Sequence, residues 1–357
     1  MKASKRTGTN GTNGIKEIAR QAKVSIATVD RVIHKRPGVS KKTKEKIDRL
    51  IKELGYKPNI FARRLASRKA LYFASLIPLV SDETDFWEAP HKGIQQAEME
   101  IEQNGIQIKK YFFDLNNKDS FVRQTRLILA SKPDGILLAP SFVKESIAFV
   151  KACHKAGIPY VLINSDLPDQ NSLCYIGPDL FASGHLGAHL INYLVEDGDK
   201  ILLVNISKSI EKHHELLRKE EGILAYFEDK DKKVRLCRAD IGKTDYPSVA
   251  AKLKNILKVE SGIKLIFVTN SRVSTVARFL DNQDQQHLLL IGYDFTRENI
   301  GYLEKGTIDF LICDKPHEQG YRGIMMLYQS LVFGASVEKV LFMPIDIISK
   351  ENYKFYR

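Results

Sequence analysis

Apolar residues recur at helical spacing through residues 15–34, IKEIARQAKVSIATVDRVIH. Ile15, Ile18 and Ala19 form one face, and Ala27, Val29, Val32 and Ile33 form a second. The intervening Lys23-Val24-Ser25 is too short for a strand and too polar for a core. Ser25 suits an N-cap, because its hydroxyl can accept from the backbone N–H of Ala27 or Thr28. The pattern predicts two short helices joined by a turn, the second presenting Ile26, Ala27, Asp30 and Arg31 outward. An ordinary helical hairpin inside a larger core would show the same periodicity. Pro37-Gly38 then signals a turn, Ser40 an N-cap, and Ile47, Leu50, Ile51 and Leu54 the apolar face of a third helix ended by Gly55. Asn59 can cap a further helix over residues 60–66. That helix has too little apolar surface to fold alone and is expected only against a partner.

From residue 71 the pattern changes to short apolar runs alternating with amphipathic stretches. Candidate strands are 71–78, 106–113, 134–140, 158–164, 200–206, 234–239, 264–269, 288–294 and 308–313. Stretches such as HKGIQQAEMEIEQNG and LFASGHLGAHLINYLVEDG lie between them. This βαβ rhythm predicts an α/β body with parallel sheets covered on both faces, and nine strands suit two similar subdomains better than one sheet. Ligands in such folds bind beyond the C-terminal ends of strands. The residues there are Phe86 and Trp87 after the first strand, Asn164 and Asp166 after the fourth, Asn270 after KLIFVT and Asp294 after LLLIGYD. Each Asn or Asp is equally readable as a cap or turn residue. Asp179 in particular reads as the N-cap of the helix that follows it.

Charge sharpens the division. Residues 1–70 carry 20 Lys+Arg against 5 Asp+Glu, a net of +15, while the whole chain is +12 and the remainder therefore −3. A basic head on a near-neutral body points to a polyanion, and the coincidence with a helix-turn-helix favours nucleic acid over a membrane surface. Cys153, Cys174, Cys237 and Cys313 show no CxxC spacing and suit buried free thiols in a reducing compartment. The first 14 residues are polar, rich in Gly, Thr and Asn, and lack the apolar region of an export signal. They read as a disordered arm, and a cytoplasmic protein is expected.

The order I-x-x-I-A-x-x-A-x-V-S-x-x-T-V-x-R-V, then V-S-x-x-T-x-E-K-I, then L-G-Y-x-P-N-x-x-A-R-x-L resembles the lactose-repressor/galactose-repressor family of bacterial transcription regulators. The match covers residues 15–67 nearly without gaps. It implies a sequence-specific DNA-binding regulator of the repressor type, not an enzyme and without a cofactor, whose affinity for its operator is controlled by a small-molecule effector. Four parts follow: an arm (1–14), a three-helix helix-turn-helix head (15–57), a hinge helix (58–69) and a two-lobed, periplasmic-binding-protein-like core of type I (70–357). By the resemblance, Ile26 and Ala27 read bases with Arg31, Ser25 and Thr28 touch phosphates, and the hinge segment brings Asn59, Ala62 and Leu65 to DNA. Leu65 is the wedge of the minor groove. Asp30 replaces the family's usual serine and His34 its asparagine. An acidic side chain at that place can accept from cytosine N4 or pair with Arg31. The partners implied are a near-palindromic operator, a second copy of the chain (a homodimer or tetramer) and a saccharide.

The resemblance continues more weakly through the body. It implies that Asn164, Asn270 and Asp294 hold ligand hydroxyls and that Tyr246 stacks on an apolar sugar face; Phe86 and Trp87 are expected at the site from their place after the first strand. The family's arginine in R-x-x-G corresponds to Lys219 in KEEG, with Arg218 beside it. A lysine cannot supply the arginine fork, so the ligand's charge and geometry stay open. Other chemistry is poorly supported. His185 and His189 share a helix face without a third ligand, His213-His214 reads as a solvated charged loop, and neither a GxSxG elbow nor a Gly-rich phosphate loop occurs.

Overall fold

A computed structural model describes residues 11–33, 37–54, 71–81, 84–208, 214–228, 230, 232–283 and 288–356. The chain divides into two compact units, residues 1–70 and residues 71–357.

In the first unit, α1 (Gly11–Ala22), α2 (Ile26–Ile33) and α3 (Lys41–Glu53) enclose one small core. Helix α1 thus takes in residues 11–14, which the composition had assigned to the arm. Ile18, Ala19, Ala22, Val29, Val32 and Ile47 are buried, with Leu50 and Ile51 packed beside them. Leu54, expected on that face, is instead the C-cap of α3 and 44% exposed. The turn after α1 is closed by two backbone bonds, Lys23 N–H to Arg20 O (3.2 Å) and Val24 N–H to Ala19 O (3.0 Å). Lys23 takes the left-handed conformation that this C-cap requires (φ 58°). Lys46 reaches back from α3 to donate to Ala22 O at 3.0 Å. Ser40 caps α3 by accepting from Thr43 N–H. Gly55, the 58–69 hinge, His34, Asn59, Ala62 and Leu65 lie outside the described residues.

The second unit holds two six-stranded sheets. The first contains β1 (Leu71–Pro78), β2 (Ile106–Phe113), β3 (Gly135–Leu138), β4 (Tyr160–Ile163), β5 (Cys174–Gly177) and β11 (Val340–Phe342) in the order β11-β5-β4-β3-β1-β2. The second contains β6 (Lys200–Ile206), β7 (Arg235–Ile241), β8 (Ile263–Val268), β9 (Leu289–Tyr293), β10 (Phe310–Cys313) and β12 (Asp346–Ile348) in the order β12-β10-β9-β8-β6-β7. All pairings are parallel except β10 with β12. The described residues therefore form twelve strands in the body, against nine expected; β5, β11 and β12 are the additions. They are three or four residues long and are made strands by neighbours distant in sequence.

Helices cover both faces, as near-continuous burial of the central strands requires. In the N-lobe, α5 (Lys118–Ser131) and α6 (Val143–Lys155) pack on one face. Helices α4 (Glu88–Ile101) and α12 (Pro316–Phe333) pack on the other. In the C-lobe, α9 (Tyr246–Val259), α10 (Val273–Asn282) and α11 (Arg297–Lys305) oppose α7 (Leu180–Leu194) and α8 (His214–Glu228). The chain passes between the lobes three times: after β5, after β10, and between β11 and β12.

The pairs α4/α12 and α7/α8 are built alike. A Cβ on Gly93 would meet His317 O at 2.0 Å, and one on Gly320 would meet Pro90 O at 2.1 Å. A Cβ on Gly184 would meet Lys219 O at 1.9 Å, and one on Gly222 would meet Phe181 O at 2.1 Å. Each helix pair thus crosses at two glycines, and each glycine faces the carbonyl three residues before its counterpart. Asp179 caps α7 by accepting from Ala182 N–H, as its position suggested. Cys153, Cys174 and Cys313 are buried, and all four thiols are free.

Candidate functional site

In the head, the sequence at the turn decides what α2 presents. Ser25 Oγ accepts from Thr28 N–H (3.1 Å) and lies 2.9 Å from Thr28 Oγ1, so one hydroxyl caps the helix while the pair braces its first turn. Val29 and Val32 face the core. That leaves Ile26 (49% exposed), Ala27 and Arg31 on the outer face, with Asp30 half-buried beside them. A small residue and a guanidinium on one exposed helix face is what close approach to base edges and bidentate contact to guanine need.

In the body, strand ends from both lobes converge on a cavity of about 1060 Å³. Phe86, Trp87, Asn164, Asn270 and Asp294 all line it. Asn164 and Asp294 stand at matching places, one residue past β4 and one past β9. Both are left-handed (φ 68° and 76°), a conformation Asn and Asp tolerate better than other side chains. Both side chains line the cavity. Asn270 Nδ2 donates to Ile206 O (2.8 Å) and its Oδ1 accepts from Arg272 N–H (3.3 Å), so this residue also holds its own turn. Phe86 and Trp87 meet edge to face at 5.1 Å.

Lys219 does not line the cavity. It lies beneath it, 2% exposed, with Nζ 2.8 Å from Glu215 Oε1, 3.5 Å from Thr269 O and 3.8 Å from the centre of the Tyr293 ring. Burial works against its charge, but Glu215, Tyr293 and Asp294 outweigh that and hold its pKa above the ordinary lysine value. Glu215 takes the wall position instead; its Oε2 accepts from Asn164 Nδ2 of the opposite lobe at 3.4 Å. Asp314, one residue past β10, is buried near Asp294. Burial, against the pull of Lys219, pushes its pKa up to about 6. The carboxyl of Asp294 is raised well above the usual range, by burial first and then by Asp314 and Glu215.

Tyr246 also falls outside the cavity. As the first residue of α9 it turns toward α10, where the Arg278 guanidinium lies 4.1 Å from its ring and Asn282 Nδ2 donates to its hydroxyl at 2.7 Å. Asp166 is absent from the wall and accepts from Leu167 N–H. His214 is not in a loop: it opens α8 and lines the cavity. His185 and His189 pack against Tyr226, whose hydroxyl lies 3.0 Å from His189 Nδ1. Among the described residues no cluster of three metal-ligating side chains occurs.

Three supporting residues had not been singled out. Glu215 could have been found from its i,i+4 spacing to Lys219. Gln319 joins the lobes, accepting from Asn164 N–H (2.9 Å) while its Nε2 donates to Asp314 O (2.9 Å) and Oδ1 (3.1 Å). Asn299, fully buried, donates to Ser271 O, Tyr293 O and Asp294 O and accepts from Ser274 N–H, fixing the end of β9 and the start of α10. Nothing local in the sequence marks either amide.

Comparison with known proteins fits both halves. Residues 73–335 match the profile of the periplasmic binding protein domain, and residues 14–59 that of the bacterial regulatory proteins of the lacI family. Catabolite control protein A of Priestia megaterium is 25% identical over 338 residues, 86% of this chain and 98% of that protein. A protein assigned as a LacI transcriptional regulator from Bacteroides fragilis superposes with a TM-score of 0.73 at 25% identity, over 81% of this chain and 100% of its own. A glucose-galactose binding protein from Geobacillus stearothermophilus shares the fold, with a TM-score of 0.71 at 22% identity over 80% of this chain and 99% of its own. A helix-turn-helix with an exposed reading face, followed by a two-lobed binding domain of this topology, places the chain in the lacI family of DNA-binding transcription regulators.

Proposed function

We propose that this regulator acts in the cytoplasm as a homodimer on a near-palindromic operator, and that a saccharide-class effector in the interlobe cavity controls its hold on DNA. The observation that carries this reading is the convergence of Asn164, Asn270 and Asp294 with Phe86 and Trp87 on one cavity of about 1060 Å³. Carboxamides both donate and accept, which suits the dual character of a sugar hydroxyl, and aromatic walls suit the apolar face of a pyranose. One head spans only a half-site, so two copies are needed for an operator. An effector shifts the equilibrium only through unequal affinity for the two lobe arrangements.

Operator selection from random duplexes, followed by gel shift with a sugar panel, tests the reading. Arg31→Ala should flatten the preference at one base pair, a loss of about 1–3 kcal/mol of discrimination. The affinity of the full chain should fall with salt at a slope of about −0.9 per phosphate neutralised, and the body without residues 1–69 should not bind. Operator binding by that truncated body, or indifference of the full chain to every sugar, would contradict it.

A further inference from the structure

The charges acting on Asp294 differ from those of the cavity wall at large. Lys118, Lys144, Lys208, Arg218 and Arg272 stand around the wall, with Lys118 near Glu145 (3.8 Å) and Arg218 paired with Glu221. None of these cations is among the charges acting on Asp294, which are Lys219, Asp314 and Glu215. Lys219, outside the wall, is the one cation among those charges, and it is engaged by Glu215. Asp294 is 9% exposed and lines the cavity, and among the described residues no group donates a hydrogen bond to its carboxylate. A buried carboxylate turned into a cavity without a donor is costly unless a partner arrives.

We propose that the effector is an amine-bearing polyol of the amino-sugar type, its ammonium seated on the Asp294 carboxylate and its hydroxyls on Asn164 and Asn270. This inference rests on the saccharide reading above and narrows it. Lys219 does not line the cavity, so the place where the family pattern has its arginine supplies no cation to the wall; the side chain that lines it from that helix turn is the carboxylate of Glu215. An ammonium satisfies that carboxylate with up to three donors and balances the second carboxylate behind it, Asp314. Tyr293, Glu215, Lys219, Cys313 and Tyr175 are the other titratable groups around the pair, and Gln319 fixes Asp314 by hydrogen bonds. Burial raises both aspartates, Asp314 and Glu215 act further on Asp294 and Glu215 on Asp314, and a cationic ligand displaces the protons they retain. Affinity for an amine should therefore strengthen as pH rises out of the acid range and the two carboxyls give up their protons, Asp314 at about 6, and binding there should release protons to the buffer.

The test is calorimetry on the full chain with D-glucosamine, D-galactosamine and D-mannosamine beside their neutral parents and the matching uronates, at about pH 5 and about pH 6.5, where the amines keep their proton. At least one amine should bind about tenfold or more tighter than its parent, and more so at the higher pH. Asp294→Asn, which keeps the left-handed backbone and the shape, should erase the preference. Should that variant fail to fold, the pH dependence and proton release of the unsubstituted chain still decide. A neutral sugar or uronate binding as tightly as its amine, or an amine affinity indifferent to pH, overturns the amine and leaves the saccharide reading standing. Silence from the whole panel overturns both.

Discussion

The two lobes share a backbone plan and differ in what it carries. Each has a six-stranded sheet, parallel but for the β12 edge of the C-lobe, helices on both faces, a crossing at paired glycines and a left-handed residue past its fourth strand. In the N-lobe the residue three before the crossing glycine is His317, exposed; in the C-lobe it is Lys219, at 2% exposure. The left-handed residue is Asn164 in one lobe and Asp294 in the other. The N-lobe adds aromatic walls and a neutral amide, and the C-lobe adds a buried layer of charge. Equal folds thus yield one lobe that brings rings and an amide to the cavity and one that brings buried charge beneath it.

The largest test of this contrast is removal of the buried cation. Lys219→Met should destabilise the body by about 3–5 kcal/mol in urea unfolding, since it leaves buried carboxylates without their counter-ion. The loss should be smaller at about pH 5 than at about pH 8, where those carboxylates are charged. His317→Ala, at the same place in the other lobe, should stay within about 0.5 kcal/mol. The glycine crossings test the likeness instead. Gly222→Ala and Gly320→Ala each press a methyl group into backbone, and each should cost about 1–3 kcal/mol. Strongly unequal losses would mean that the two crossings are not equivalent. Asp314→Asn is a smaller effect and should alter mainly the pH profile. A carboxyl raised by folding favours the native state in acid, and that advantage is lost as pH rises through about 6. The variant should flatten this slope, with a gain on the order of 1–2 kcal/mol near neutrality. Least of all, Tyr246→Phe should change stability by no more than about 1 kcal/mol and leave effector affinity unchanged, because its hydroxyl serves Asn282.

Much of this was legible because it is local. The helix-turn-helix rests on periodicity and on Ser25 and Ser40, whose capping bonds span three residues. The long strands announce themselves by length, and strand ends nominated five residues that line the cavity. What failed was non-local. Strands β5, β11 and β12 have too few residues to show a period and exist through pairing across the chain. Lys219 could be located by its distance from Gly222, but its burial follows from the close crossing of α7 and α8. Tyr246 follows a strand as a ligand-stacking ring would, yet its helix, capped by Asp245, turns it toward Arg278. Gln319 matters only because β4 and β10, about 150 residues apart, end at the same place.

The three passages between the lobes have a consequence for how the chain is made. The N-lobe is not a continuous stretch: its covering helix α12 and its edge strand β11 are synthesised only after the whole parallel part of the C-lobe sheet. While the ribosome is still extending the chain, β5 therefore has an open flank, and Gly93 of α4 has nothing to cross. An unpaired strand edge of this kind is a template for other chains. A message that breaks off before residue 316 would leave its product with the N-lobe unfinished and that edge bare. The finished regulator closes it with three residues, Val340–Phe342, supplied from far along the chain.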